Sequence, residues 1–182
     1  AKAAEAAKPK EIVVPTAARA DADPVVAAAF KRLDDKAVTG KSHKDDVIAA
    51  KVFYGERSGP GLWTAADGLN ARSRAVITEL AKAEDWGLEA RAFEVPDLSS
   101  VQTTPDILGE AEAKMTLAAL KYARFARGGR VHPLSLSRIW DQEPPIKDPA
   151  EVLTTLAARE DTDAYLRDLH PKHEQFKRLR EA

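Results

Sequence analysis

The side chains of this 182-residue chain that can do chemistry are few: four histidines, 29 acids and 28 basic residues, with no cysteine at all. The absence of cysteine excludes a thiolate nucleophile, a disulfide and a cysteine-ligated zinc. His170 and His173 are three apart and Glu174 follows, a spacing at which helical histidines can share a metal. Yet His170 directly precedes Pro171 and no His-Glu-x-x-His pattern exists, so the residues favour capping and packing near a helix start over a metal site. Ser135 and Ser137 lie near His132, but there is no Gly-x-Ser-x-Gly elbow to present a nucleophile. Among the acids, Glu110, Glu112, Asp141 and Glu143 can be imagined as a carboxylate pair for glycoside hydrolysis. Solvated positions are the simpler expectation, with Glu110 paired to an arginine such as Arg74.

Two surface chemistries remain. Arg124, Arg127 and Arg130 form a small basic cluster suited to an acidic partner or to the negative end of a helix. Trp63 and Trp140 stand at junctions between elements and loops, where they either anchor the loop or offer a face for stacking on a sugar. Ser58-Gly59-Pro60-Gly61 lacks the Gly-Lys-Ser/Thr ending of a phosphate loop, and Pro60 removes a backbone donor, so it reads as a tight turn. No cofactor signature appears. A formal net charge of -1 argues against nucleic acid as partner, and no apolar stretch is long enough to span a membrane.

The elements that must hold these residues are helical. Residues 1–22 are rich in Ala and Lys with two prolines, and read as a flexible tail before a domain spanning 23–182. Asp23-Pro24, Thr104-Pro105 and Asp148-Pro149 are cap-plus-proline helix starts. Ser42 is placed to cap the helix bearing Val47, Ile48, Val52 and Phe53, and Gly87 to stop a helix running from Asn70 to Asp85. Leu108, Ala111, Met115, Ala118, Tyr122 and Phe125 recur at steps of three and four, which predicts one long helix with a single apolar face. Further helices are expected at Thr162–Leu169 and Pro171–Leu179, and no alternating strand pattern is present. The expected fold is all-α, a compact bundle of seven or eight helices around a long central one. Tyr54, Trp86, Met115, Tyr122, Phe125 and Phe176 are its expected structural core.

An ordered set of motifs then carries a resemblance. Phe53-Tyr54-Gly55 leads to Gly61-Leu62-Trp63-Thr64, and Trp86-Gly87-Leu88 to Val95-Pro96. Tyr122-Ala123-Arg124 runs into Gly129-Arg130-Val131-His132-Pro133, and Pro171 to Leu179 closes the series. This order resembles the helical scaffold domain that precedes the catalytic domain of large bacterial L,D-transpeptidases, over roughly residues 45 to 181. Phe93 and Phe176 stand where that family usually has tyrosine. The resemblance implies a periplasmic location and a cell-wall role. It implies as partner a catalytic domain, in cis or in trans, another envelope protein, or peptidoglycan itself. The family's nucleophile is a cysteine in a later domain, so the resemblance assigns no catalytic residue to this chain.

Overall fold

The computed structural model describes residues 12–131, 133–139 and 142–181. Among them are nine α-helices and one two-stranded ribbon, so the fold is all-α in its mass, as the periodicities predict. The helices are α1 (Pro24–Arg32), α2 (Lys36–Thr39), α3 (Lys44–Glu56), α4 (Ala71–Ala81), α5 (Pro105–Ala126), α6 (Pro133–Leu136), α7 (Pro149–Ala158), α8 (Thr162–Asp168) and α9 (Glu174–Glu181). All three expected cap-plus-proline starts are present. Asp23 accepts the Val25 amide, Asp148 the Ala150 amide and Thr104 the Ile107 amide.

α5 is the axis of the domain. α1, α3, α4, α7 and α8 all pack on it, so it buries side chains around most of its circumference, not along one stripe. One core cluster joins Trp63, Met115, Tyr122, Leu153 and Leu166; a second, on the other side of α5, joins Val26, Phe30, Tyr54, Ala113 and Leu117. The alanines permit this by letting neighbouring helices come close on both flanks. At Gly109 the approach is closest. A methyl group there would stand 2.5 Å from the Ala28 Cβ and 2.7 Å from the Ala29 amide nitrogen, so α1 crosses α5 where α5 has no side chain.

Several boundaries differ from the sequence expectation. His43, not Ser42, caps α3, its Nδ1 accepting the Asp45 amide. The helix expected over Asn70–Asp85 ends at Ala81 and gives way to a 3₁₀ turn over Ala83–Trp86, after which Gly87 takes the left-handed conformation at φ 71°. α9 starts at Glu174 instead of Pro171, with His173 Nδ1 accepting the Phe176 amide. A ribbon of β1 (Thr64–Ala65) and β2 (Gly68–Leu69) was not anticipated; strands of two residues are too short to show alternation. Of the residues expected in the core, Tyr54, Met115 and Tyr122 are fully buried. Trp86, Phe125 and Phe176 are half-buried, and α9 contributes no buried side chain. Before α1, Pro15 lies against Gly55, and Ala18 and Ala22 pack on the second cluster, so part of the expected tail lines the domain.

Candidate functional site

The polar residues that the sequence offers for chemistry fall into two buried networks and one surface. The first network centres on Glu112, in the middle of α5 and fully buried. Its carboxylate accepts three consecutive backbone amides, from Leu62 at 2.9 Å, Trp63 at 2.7 Å and Thr64 at 2.7 Å. The hydroxyls of Thr64 (2.8 Å) and Tyr54 (2.7 Å) also donate to it. Burial, reinforced by Glu112, raises the Tyr54 phenol well above its ordinary range, so it stays protonated as a donor. A single direction of donation follows: the Trp63 indole N–H to Thr116, the Thr116 hydroxyl to Tyr54, and Tyr54 to Glu112. Gly61 is required here, because a β-carbon would stand 2.2 Å from a Glu112 carboxylate oxygen. The network ties the loop after α3, and the ribbon it enters, to the central helix.

Glu112 is therefore not the solvated acid the sequence suggested. Five donors in place of a cation make it a structural anchor. A signal was available: Leu108, Glu112 and Thr116 share one helical face, so two polar residues continue a buried row and need buried partners. Trp63 belongs to the same network. It is fully buried with its indole nitrogen bonded, and so it cannot stack on a ligand at the surface. Trp140, Asp141 and His132 lie outside the described residues. Glu110 pairs with Lys114 at 2.7 Å and Arg32 at 3.6 Å, not with Arg74, whose guanidinium bonds the Leu69 carbonyl.

The second network lies between α4, α5 and α8. Glu79, 2% exposed, takes the Arg167 guanidinium at 2.9 Å and the Tyr122 hydroxyl at 3.4 Å. Tyr122 also bonds His170 Nε2 at 2.8 Å. With Tyr122 donating to Glu79, the Nε2–H of a neutral His170 donates to the phenol oxygen. Burial and the Glu79 charge raise the Tyr122 phenol, which again fixes it as protonated. The His170 ring stacks on Trp86 at 4.2 Å, and the Arg180 guanidinium covers Trp86 at 3.9 Å. His170 and His173 are thus each committed within the fold, to this stack and to the α9 cap. Among the described residues no three His, Asp or Glu side chains converge as a metal site.

Burial, with Arg180 nearby, lowers the His170 pKa from 6.5 to about 4. Above the higher value both folded and unfolded chains hold it neutral. As pH falls between the two values only the unfolded chain takes up the proton, so folding loses stability, by about 3 kcal/mol in total. Urea unfolding of the native protein from neutral pH to about pH 4 is expected to show that loss. His170→Gln should flatten this part of the curve; an unchanged pH slope in the variant would remove His170 from the account.

The three arginines of the basic cluster do not act as one. Arg124, its side chain 11% exposed, holds the buried Asp46 carboxylate through two bonds of 2.6 and 3.2 Å and so joins α3 to α5. Arg127 donates to the Pro145 and Leu169 carbonyls. Arg130 pairs with Glu89, which also takes Arg91. Arg124 and Arg130 do meet at an open groove of about 550 Å³, whose other walls include His43, Asp45, Glu143 and Ile146. Beyond it the chain from Val131 to Ile146 leaves large apolar side chains in water: Leu134 is 50% exposed, Leu136 64% and Ile139 85%. Among the described residues, half of the exposed large apolar side chains come from this one stretch. Sequence reasoning placed the arginines here but passed over the leucines.

Fold and site together define a helical domain whose buried charged groups lock loops and helices, with exposed apolar side chains and part of the basic cluster on its surface. A family model described as a scaffold domain matches residues 49–182. The chain belongs to this scaffold-domain family, and a scaffold acts by engaging other components. No curated protein and no solved structure matches the chain significantly.

Proposed function

We propose that the chain is the non-catalytic helical scaffold of an L,D-transpeptidase-like protein that remodels peptidoglycan in the periplasm. In this reading it holds and orients a cysteine-bearing catalytic domain, carried on the same polypeptide or on a partner. One observation carries the proposal: the scaffold-family match over 49–182 coincides with the ordered motif set that resembles the transpeptidase scaffold. The placement of the motif residues supports it. Tyr54, Trp63 and Tyr122 are interior and bonded within the domain, as expected of residues that keep a scaffold's shape. The chain contributes no thiol nucleophile of its own.

The test combines this chain with a separately produced cysteine-bearing transpeptidase domain of the same family and with purified peptidoglycan. The chain alone is expected to form no cross-links. The mixture is expected to form a complex and to cross-link faster than the catalytic domain alone. Cross-linking by the isolated chain, or a catalytic domain that neither binds it nor changes rate, would overturn the proposal.

A further inference from the structure

The arm that leaves the C-terminal end of α5 has a composition and a geometry that the scaffold reading does not use. From Arg127 to Ile139 the sequence contains three arginines and no acid. Gly128, at φ 86°, turns the chain away from the helix. The arm is held at its base, where Arg127 bonds the Pro145 carbonyl and Arg130 bonds Glu89. Past that base, Leu134, Leu136 and Ile139 are exposed, and Arg138 has no hydrogen-bonding or charged partner among the described residues. Glu89, the acid that pairs with Arg130, is shared between Arg91 and Arg130, one carboxylate for two guanidiniums.

Geometry separates the occupants such an arm can take. Leu134 and Leu136 are two residues apart on α6, which sets them about 200° apart around the helix axis. Both are at least half exposed, so the body of the domain covers neither. A flat protein face laid on α6 would cover one leucine and leave the other in water. A deformable interfacial layer surrounds both. Arginines beside such residues match anionic headgroups, and isolated large apolar side chains gain by entering the acyl boundary.

We propose that the arm from Arg130 to Ile139 is a lipid-contacting element, in which Leu134, Leu136 and Ile139 enter the interface of an anionic bilayer while Arg138 meets headgroup phosphates and Arg130, paired with Glu89, holds the base. In this proposal the domain rests on the surface through this arm; no described helix is long and apolar enough to cross a membrane. The inference goes beyond the scaffold reading and needs no catalytic domain, so either can fail without the other.

Cosedimentation of the full chain with vesicles of phosphatidylethanolamine and phosphatidylglycerol, against vesicles of phosphatidylcholine alone, tests it. Binding to the anionic vesicles is expected. The double change Leu136→Ser with Ile139→Ser should lower partitioning by about tenfold or more, and Arg138→Glu by about fivefold or more. All three positions are exposed, and a melting curve for each variant verifies that the fold is intact. No binding to anionic vesicles overturns the proposal. So does binding that depends on Arg138 but ignores Leu136 and Ile139, which would be bulk electrostatics. A wild-type chain that self-associates in ultracentrifugation through these leucines, without binding vesicles, would make the arm a protein interface and overturn it as well.

Discussion

Glu112→Ala is expected to destabilise the protein by about 4 kcal/mol or more, close to the whole stability of many domains of this size. The change removes the acceptor of three backbone amides and two hydroxyls, all of them buried. Each stranded donor costs about 1–3 kcal/mol, and the cavity at the centre of α5 adds to that. Loop and helix would have to separate for water to reach these groups. Glu112→Gln tests the same point more finely. The amide keeps one oxygen, but its NH₂ group must face donors, so an intermediate loss is expected. Urea unfolding gives both values. A Glu112→Ala protein with native stability would show that the anchor is dispensable.

Arg124→Ala is the second large effect, with an expected loss of about 3–5 kcal/mol, because it leaves Asp46 buried with its charge uncompensated. Asp46 is 2% exposed, and among the described residues both of its side-chain hydrogen bonds come from this one guanidinium. Arg130→Ala should change stability little, since the Arg130–Glu89 pair is about half exposed on both sides. The double change Asp46→Asn with Arg124→Met should recover much of the loss, because it removes the stranded charge along with its partner. Thermal and urea unfolding of the four proteins decide it. Equal effects of the Arg124 and Arg130 changes would return both to a single surface cluster.

These two residues show why parts of the molecule were legible from sequence and others were not. Asp23, Thr104 and Asp148 act on amides two or three residues away, so the helix starts they make are written locally and were readable. The length of α5 was readable too, because its period persists through the helix. Glu112 and Arg124 draw their roles from partners 48 or more residues distant; the face Glu112 shares with Leu108 and Thr116 signals its burial, but nothing local names the partners of either residue. Ser42 was expected to cap α3 on residue type alone; His43 takes that position because its ring nitrogen reaches the Asp45 amide. The ribbon at Thr64–Leu69 forms where Glu112 gathers the amides leading into it, a condition set by α5 and not by the strands.

By itself the sequence determined an all-α chain with a long central helix, no thiol chemistry, and an ordered set of motifs pointing to a scaffold domain. The first two properties follow from composition, short-range capping and helical period, all of which act within a few residues; the third is a resemblance carried by the order of the motifs. Only the tertiary structure decided that Trp63 is an internal strut, that Glu112 and Glu79 are anchors, and that the three arginines divide between core and surface. It alone exposed the leucines of the arm beyond α5. Burial is a property of what lies across the fold, and a side chain's chemistry is available to a partner only where the fold leaves it unspent.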